Sequence, residues 1–563
     1  MSETGQDQAE AGDSAGVNDW PLRPWLLAGL LGLAGLLIHL VTHEHDDVPW
    51  QVAIAAFLFF GAIAAAFTLD ERRWQEPAIF AAIVGLVMAG LAWRAVQYGE
   101  RLPDEQYGFA AGVVATALAL PLFQAGFHRR RLRTAYADTF HHIWTDAISA
   151  AGALAFTGLS WVVLAFLSEL FRLLRIEFLH DLMNEGWFAW TFSGLAAGAA
   201  LGTIRNQLKV LATMQTVVLL VASLLAVPLA VGLVVFLLAT AVSGPQVLWE
   251  ATRSATPLLL ACAAGAFVLA SAIVRQDDEA MSRNRVMRTA ALVLAMVILP
   301  LAIFAAVSMG LRLNQYGLAP ERLWGLVAIV VACAWGLGYW VALARGRKTG
   351  WAREVRGANF NLALGVCVLA LFLALPILDF AAISTRNQVA RLESGKVSTD
   401  RFDFAALRWD FGEAGSKALA RLARNADPKI AELAGLAMKQ ARRPFAYPGD
   451  RGYRSVAEID VRIQPDDPAL RKLVIDYLRL NPSTCTEFCV ALDLGAERDG
   501  RRDVALVSRG TYERVWLPDA APAVGNVRYE VPGKFDHDSS VEIRELTKRY
   551  IFVDGKPVGQ PLD

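Results

Sequence analysis

Apolar runs of roughly twenty residues, cut by short polar loops, repeat along the first two-thirds of the chain. They fall at residues 24–42, 51–69, 77–95, 108–127, 147–170, 186–204, 211–241, 255–274, 289–310, 322–343 and 360–379. A helix needs about 20 apolar residues to cross a bilayer core of ~30 Å. Each run meets that length, so the pattern predicts an all-α polytopic transmembrane bundle of about eleven helices. The run 211–241 exceeds one crossing and carries Pro228 near its middle, which predicts tilt or a kink. Pro121, Pro300 and Pro376 fall inside other runs. They read either as tolerated kinks or as breaks lining a cavity.

The pattern differs at both ends. Residues 1–22 are acidic, polar and small, which predicts a disordered tail before a transmembrane domain at 23–380. The first apolar run is too long for a signal-peptide core and lacks a basic start, so it reads as a retained span. Past Asp379, Ala, Leu and Lys recur at helical spacing, predicting a helical stalk over 381–445. The pairs Asp427-Pro428 and Asp467-Pro468 read as helix starts. After Pro482 the period shortens to that of strands, in "EFCVALDLG", "DVALVSRG", "YERVWLP", "VRYEVPG", "SVEIREL" and "RYIFVDGKPVG". The Asp554-Gly555 step predicts a tight hairpin in the last of these. Residues 446–563 are thus expected to form a small soluble α+β domain, extracytoplasmic by the charge argument below.

Charge sets the orientation. The chain has 54 Lys and Arg against 54 Asp and Glu, 55% hydrophobic residues and a mean hydropathy of +0.37. Zero formal charge argues against a nucleic-acid partner, which would need a basic face. Numbered in order, the even loops carry seventeen Lys or Arg, Arg205 and Arg356 among them, and the odd loops seven. By the positive-inside rule the even loops and the N-terminus are cytoplasmic. Eleven crossings then put the C-terminal domain on the far side, the periplasm of a Gram-negative cell. "FHRRRLR" supplies Arg129, Arg130, Arg131 and Arg133, which read as a topology anchor or as a binding patch for anionic lipid headgroups.

The spans, followed by "AISTRNQVARLESGKVSTDRFDFAALRWDFG" at 382–412, resemble bacterial membrane proteins of the domain-of-unknown-function 4153 family. The resemblance covers about residues 20–440. It implies a polytopic bacterial membrane protein, which with the orientation above reads as one of the inner membrane. It implies no activity and offers no catalytic residues.

Several clusters have the right atoms for chemistry. In "THEHDDVPW", His39 and His43 share a helix face, and His45, Asp46 and Asp47 follow at once. Imidazole and carboxylate at this density suit Zn²⁺ or another divalent cation, and equally suit a solvated acidic loop. No other cofactor is predicted. His142 and Asp146 stand i, i+4 in "HHIWTD", which reads as a metal or proton relay or as a local hydrogen bond on an interfacial helix. Glu169 and Arg172 are ionisable residues near the end of a span. They also have the spacing of a local ion pair. "FRLLRIEFLHDLM" at 171–183 reads as one amphipathic surface helix. Gly194, Gly198 and Gly202 line one helix face and predict close packing against a helix of this chain or of another subunit. Cys485 and Cys489 predict a structural disulfide if they lie in an oxidising compartment and in a turn. Two free thiols, or a redox or metal role, are the alternatives.

The sequence holds no phosphate loop, nucleophile elbow, HExxH or paired catalytic carboxylates. The expected function is therefore non-enzymatic. The bundle would sit in the lipid bilayer and present its periplasmic domain to an envelope protein or signal. A transporter or channel is the alternative, and a membrane enzyme acting on lipid or envelope polymer is a more distant one. Oligomeric state and substrate are not legible.

Overall fold

A computed structural model describes residues 20–43, 48–99, 105–130, 134–244, 255–347, 350–440, 443, 459–481, 484–485, 488–496, 501–508, 511–517, 521–528, 536–541, 551–553 and 556–558. The chain divides into two compact units, Met1–Ile383 and Ser384–Asp563.

The first unit is helical. Its helices are α1 (Arg23–Thr42), α2 (Pro49–Thr68), α3 (Gln75–Tyr98), α4 (Glu105–Gln124), α5 (Tyr136–Leu173), α6 (Phe178–Asn184), α7 (Gly186–Asn206), α8 (Leu208–Ser243), α9 (Ala255–Val274), α10 (Arg285–Tyr316), α11 (Pro320–Gly346) and α12 (Trp351–Ala374). Among the described residues, ten of these are long and apolar enough to cross a membrane: α1 to α5 and α8 to α12. Helix α7 coincides with the remaining apolar run, 186–204. It falls short in apolarity because glycine, threonine and serine replace larger apolar side chains.

Small residues let these helices approach, since lipid supplies no hydrophobic drive between them. The core of α8 to α12 is built largely from alanines such as Ala226, Ala263, Ala266, Ala291 and Ala305, around a fully buried Tyr339. Large apolar side chains turn outward instead. Leu154, Phe156, Leu159, Val163, Phe166 and Leu170 of α5 are all exposed, as are Val217, Leu220, Leu224 and Val231 of α8. In water such faces would be an aggregation hazard; against acyl chains they are matched.

Three expectations change here. The stretch 171–183 is not one helix: α5 ends at Leu173, Arg175 takes a left-handed φ of 59°, and α6 restarts at Phe178. Pro376 lies beyond the end of α12 rather than inside it, because proline cannot continue the ladder of backbone hydrogen bonds. Arg205 and Arg356 are not loop residues. They lie within α7 and α12, and Arg356 is only 6% exposed.

The second unit takes up most of helix α13 (Phe380–Glu393), followed by α14 (Phe404–Trp409), α15 (Gly412–Leu422) and α16 (Pro428–Met438). Asp403 and Asp427 cap the starts of α14 and α16 by accepting from the backbone N–H of Ala406 and Lys429. Then follow β1 (Val461–Gln464), α17 (Pro468–Leu480), β2 (Cys489–Ala496), β3 (Arg502–Ser508), β4 (Thr511–Leu517) and β5 (Ala521–Arg528). These strands make one sheet in the order β1-β2-β3-β4-β5. Only the β1–β2 pair is parallel, and α17 is its crossover. Leu470, Val474, Tyr477 and Leu478 of α17 cover one sheet face over Ile463, Val504, Leu506 and Val515. Phe488, Val490, Leu492 and Ala505 pack together on the other face. Strands β6 (Ile551–Val553) and β7 (Lys556–Val558) pair antiparallel across the Asp554-Gly555 step. "SVEIREL" falls almost wholly outside the described residues. Strand β1 had no counterpart in the sequence reading.

Candidate functional site

A group of polar side chains gathers where several helices of the bundle end. The last carbonyls of a helix have no partner in their own helix and carry partial negative charge, so they draw donors. Gln124, the last residue of α4, donates through Nε2 to the Phe67 carbonyl of α2 at 2.9 Å. The same amide donates to Asp146 Oδ1 of α5 at 3.2 Å. Two acceptors on that side of the amide fix its orientation, with Oε1 pointing away. Arg205, in the last turn of α7, donates to the Ala66 carbonyl. Arg23 opens α1 and donates to the Arg205 carbonyl at 3.2 Å and to Asn206 Oδ1 at 3.0 Å. Asn206 in turn donates to the Trp20 carbonyl at 2.8 Å.

Asp146 Oδ2, Gln124 Oε1, Thr145 Oγ1 and Ser149 Oγ are buried and have no hydrogen-bond partner. Ser149 is 1% exposed. It stands one turn beyond Asp146 on the same face of α5. The four orphaned atoms on α4 and α5 are all oxygens, whereas Arg23 Nε at the start of α1 is an orphaned donor. The chemistry available is to hold a proton, a cation or water.

A second polar node differs by being satisfied. Arg356 of α12 donates to the carbonyls of Arg275 at 3.1 Å and Val274 at 2.9 Å, at the end of α9. It also pairs with Asp278 at 2.7 Å. That hydrogen bond holds the Asp278 carboxyl below the ordinary carboxylate range. One turn along, Asn359 Oδ1 accepts from the Tyr339 hydroxyl at 2.7 Å and the Trp335 indole at 3.3 Å. The node locks α9, α11 and α12 together.

The residues singled out in the sequence lie as follows. His39 and His43 meet edge to face with ring centroids 4.8 Å apart. His45, Asp46 and Asp47 lie outside the described residues. Among the described residues no three His, Cys, Asp or Glu side chains are placed to hold a metal ion. His142 is not the partner of Asp146, whose hydrogen bond comes from Gln124. Glu169 and Arg172 form an exposed ion pair at 2.8 Å. Arg129 pairs with Glu76, as does His128 at 3.1 Å, and Arg130 pairs with Asp138 at 3.1 Å. Arg131 and Arg133 lie outside the described residues.

Gly194, Gly198 and Gly202 face α1. A Cβ at each would run into the backbone of Leu31, of Leu27 and Ala28, and of Pro24. Cys485 and Cys489 are joined by a disulfide with Cα atoms 5.5 Å apart. Cys485 has a left-handed φ of 64°, so the chain turns there and brings the pair within reach.

Sequence reasoning missed Gln124, Ser149 and Arg205 as members of one site. The available signal was polarity inside apolar runs: Gln124 lies within the run 108–127 and Ser149 within 147–170.

The model of a family described as a domain of unknown function, DUF4153, matches residues 53–422. The match takes in Gln124, Asp146, Ser149, Arg205 and Arg356. No curated protein and no solved structure matches the chain.

Proposed function

This chain belongs to the DUF4153 family, and on that premise we propose that it is a bacterial inner-membrane protein whose helical bundle presents a C-terminal α+β module to the periplasm. There the module meets an envelope protein or signal, without chemistry of its own. The observation that carries this reading is the Cys485–Cys489 disulfide, since such bonds persist in oxidising compartments and are rare in the bacterial cytosol.

Bundle geometry supports the same orientation. Tyr107 at the start of α4 stacks on Trp324 at the start of α11, which meets Phe380 at the start of α13 edge to face. Arg23, Gln124 and Arg205 gather at the ends of other helices. If α1 to α5 and α7 to α12 each cross once, the chain enters at the Arg23 end and leaves at the Phe380 end.

The test is thiol accessibility in intact cells. Free thiols are blocked first, then a membrane-impermeant maleimide is applied with and without prior reduction. We expect Cys485 and Cys489 to label from outside only after reduction. Labelling that needs permeabilised cells and no reductant would place the module in the cytosol and sink the reading. A transporter is the second reading, and the unpartnered oxygens around Asp146 are the observation that favours it.

A further inference from the structure

We propose that Asp146, with Gln124 and Ser149, forms an exchangeable site for a small monovalent cation, a proton or a sodium ion, at one end of the bundle. The argument starts from what an ionised carboxylate requires. Its two oxygens offer about four acceptor positions. Asp146 Oδ1 receives one donor, Gln124 Nε2, and Oδ2 is buried with none. A buried charge left with so few partners is costly.

The nearby cations do not meet the need. Arg205 of α7 is committed to the Ala66 carbonyl, and Arg23 of α1 to the end of α7. The Arg205 side chain is also within electrostatic range of Arg23, Asp70 and Asp146. Asp70 follows α2, and His142 precedes Asp146 by one turn of α5. No salt bridge reaches Asp146 from any of them. The group is a lone carboxylate in a mixed field, held by a neutral amide.

The other unpartnered atoms on α4 and α5 suit a cation. Gln124 Oε1 is a carbonyl oxygen, and the hydroxyls of Ser149 and Thr145 are acceptors as well as donors. Ser149 gives the independent sign of a ligand: it is 1% exposed and has no partner of its own. Neither hydroxyl hydrogen-bonds Oδ2 as it stands, and a proton on Oδ2 would turn the carboxyl into a donor that a change of side-chain torsion could bring to one of these oxygens. A sodium ion would replace those donors by direct coordination, the oxygen-rich ligation that hard cations favour. An ionisable group placed at the edge of a membrane bundle with such neighbours is a candidate relay.

The test uses the full chain in lipid nanodiscs and two readouts. Infrared difference spectra follow the carboxylic C=O band as pH is lowered from mildly alkaline to mildly acidic. Thermal unfolding follows the response to sodium chloride against choline chloride at equal ionic strength. We expect a titrating band that is lost in Asp146→Asn and whose midpoint moves in Ser149→Ala, a variant that removes only an unpartnered hydroxyl. If sodium also binds, sodium chloride lowers that midpoint and raises the unfolding temperature, in the wild type but not in Asp146→Asn. A proton-only site gives the band without the sodium response; a site too avid for sodium to protonate gives the reverse. A carboxyl that does not titrate and no sodium response dependent on Asp146 would overturn the proposal, leaving Asp146 as a fixed counter-charge to Arg205. Should Asp146→Asn fail to fold, the midpoint shift in Ser149→Ala decides the question.

Discussion

Two buried polar nodes show how differently a charged residue behaves when its hydrogen bonds are complete. Arg356 meets two carbonyls and a carboxylate; Asp146 meets one amide. Arg356→Met should therefore be costly, because the carbonyls of Val274 and Arg275 would lose a donor in a dry setting. We expect a loss of about 1–3 kcal/mol, seen as a lower unfolding temperature in detergent or nanodiscs. Asp278 is largely exposed, so Asp278→Asn should cost below ~1 kcal/mol. Its pH dependence has a definite sign. The Arg356 hydrogen bond lowers the Asp278 pKa in the folded state. Its contribution is present above the unfolded carboxylate value of about 4 and is lost as pH falls through the lowered folded value. The stability gap between wild type and Asp278→Asn should close in acid. A gap that persists there would show that the charge is not what matters. Neither node was legible as a unit in the sequence, because its members come from runs tens of residues apart. Arg205 and Arg356 looked like loop cations since each stands at the edge of an apolar run. Only the packing of helix ends showed that both turn inward to cap carbonyls.

At the scale of the element, apolar period was a good guide to where helices lie and a poor guide to where they stop. Helices α5 and α10 extend beyond their apolar runs, because the backbone hydrogen-bond ladder does not depend on apolar side chains. The glycines of α7 were legible for a physical reason: only absence of a side chain lets two backbones touch, and a four-residue repeat puts the gap on one face. Which helix fills the gap is not a property of α7 alone, and the sequence left it open between this chain and another. The answer is α1. Gly198→Ala should thus force α1 and α7 apart, since the new Cβ would collide with the Leu27 carbonyl. We expect an overpacking cost of about 1–3 kcal/mol. Gly158 of α5 has nothing within 4 Å of a Cβ position. Gly158→Ala should be neutral or gain up to ~1 kcal/mol from helix propensity. Equal losses in the two variants would mean that α1 and α7 do not meet through this face.

For the molecule as a whole, everything about sidedness turns on α7. Among the described residues it is the one long helix of the bundle that apolarity alone does not mark as a crossing, and without it ten crossings would return the chain to its starting side. Its packing argues that it crosses. Gly186 lies at His39, Gly194 at Leu31, Gly198 at Leu27 and Gly202 at Pro24, so α7 runs antiparallel along nearly the full length of α1. Whatever depth α1 spans, α7 spans too. If each of these helices crosses once, the count of crossings is odd, and the proposed orientation puts the segment before α1 and the segment after α12 in different compartments. A cysteine introduced as Ser14→Cys should label with an impermeant maleimide only after cells are permeabilised, while the reduced Cys485–Cys489 pair labels from outside. Should both label from one side, α7 does not complete its crossing. The disulfide adds a second handle on the same question. Closing so short a loop is worth about 2 kcal/mol in the chain-entropy account. Cys489 is fully buried, so Cys489→Ser should lower the unfolding temperature in both redox states, and by more in protein isolated under oxidising conditions than in fully reduced protein. If the bond never forms in the cell, the difference between variant and wild type will be the same in both states.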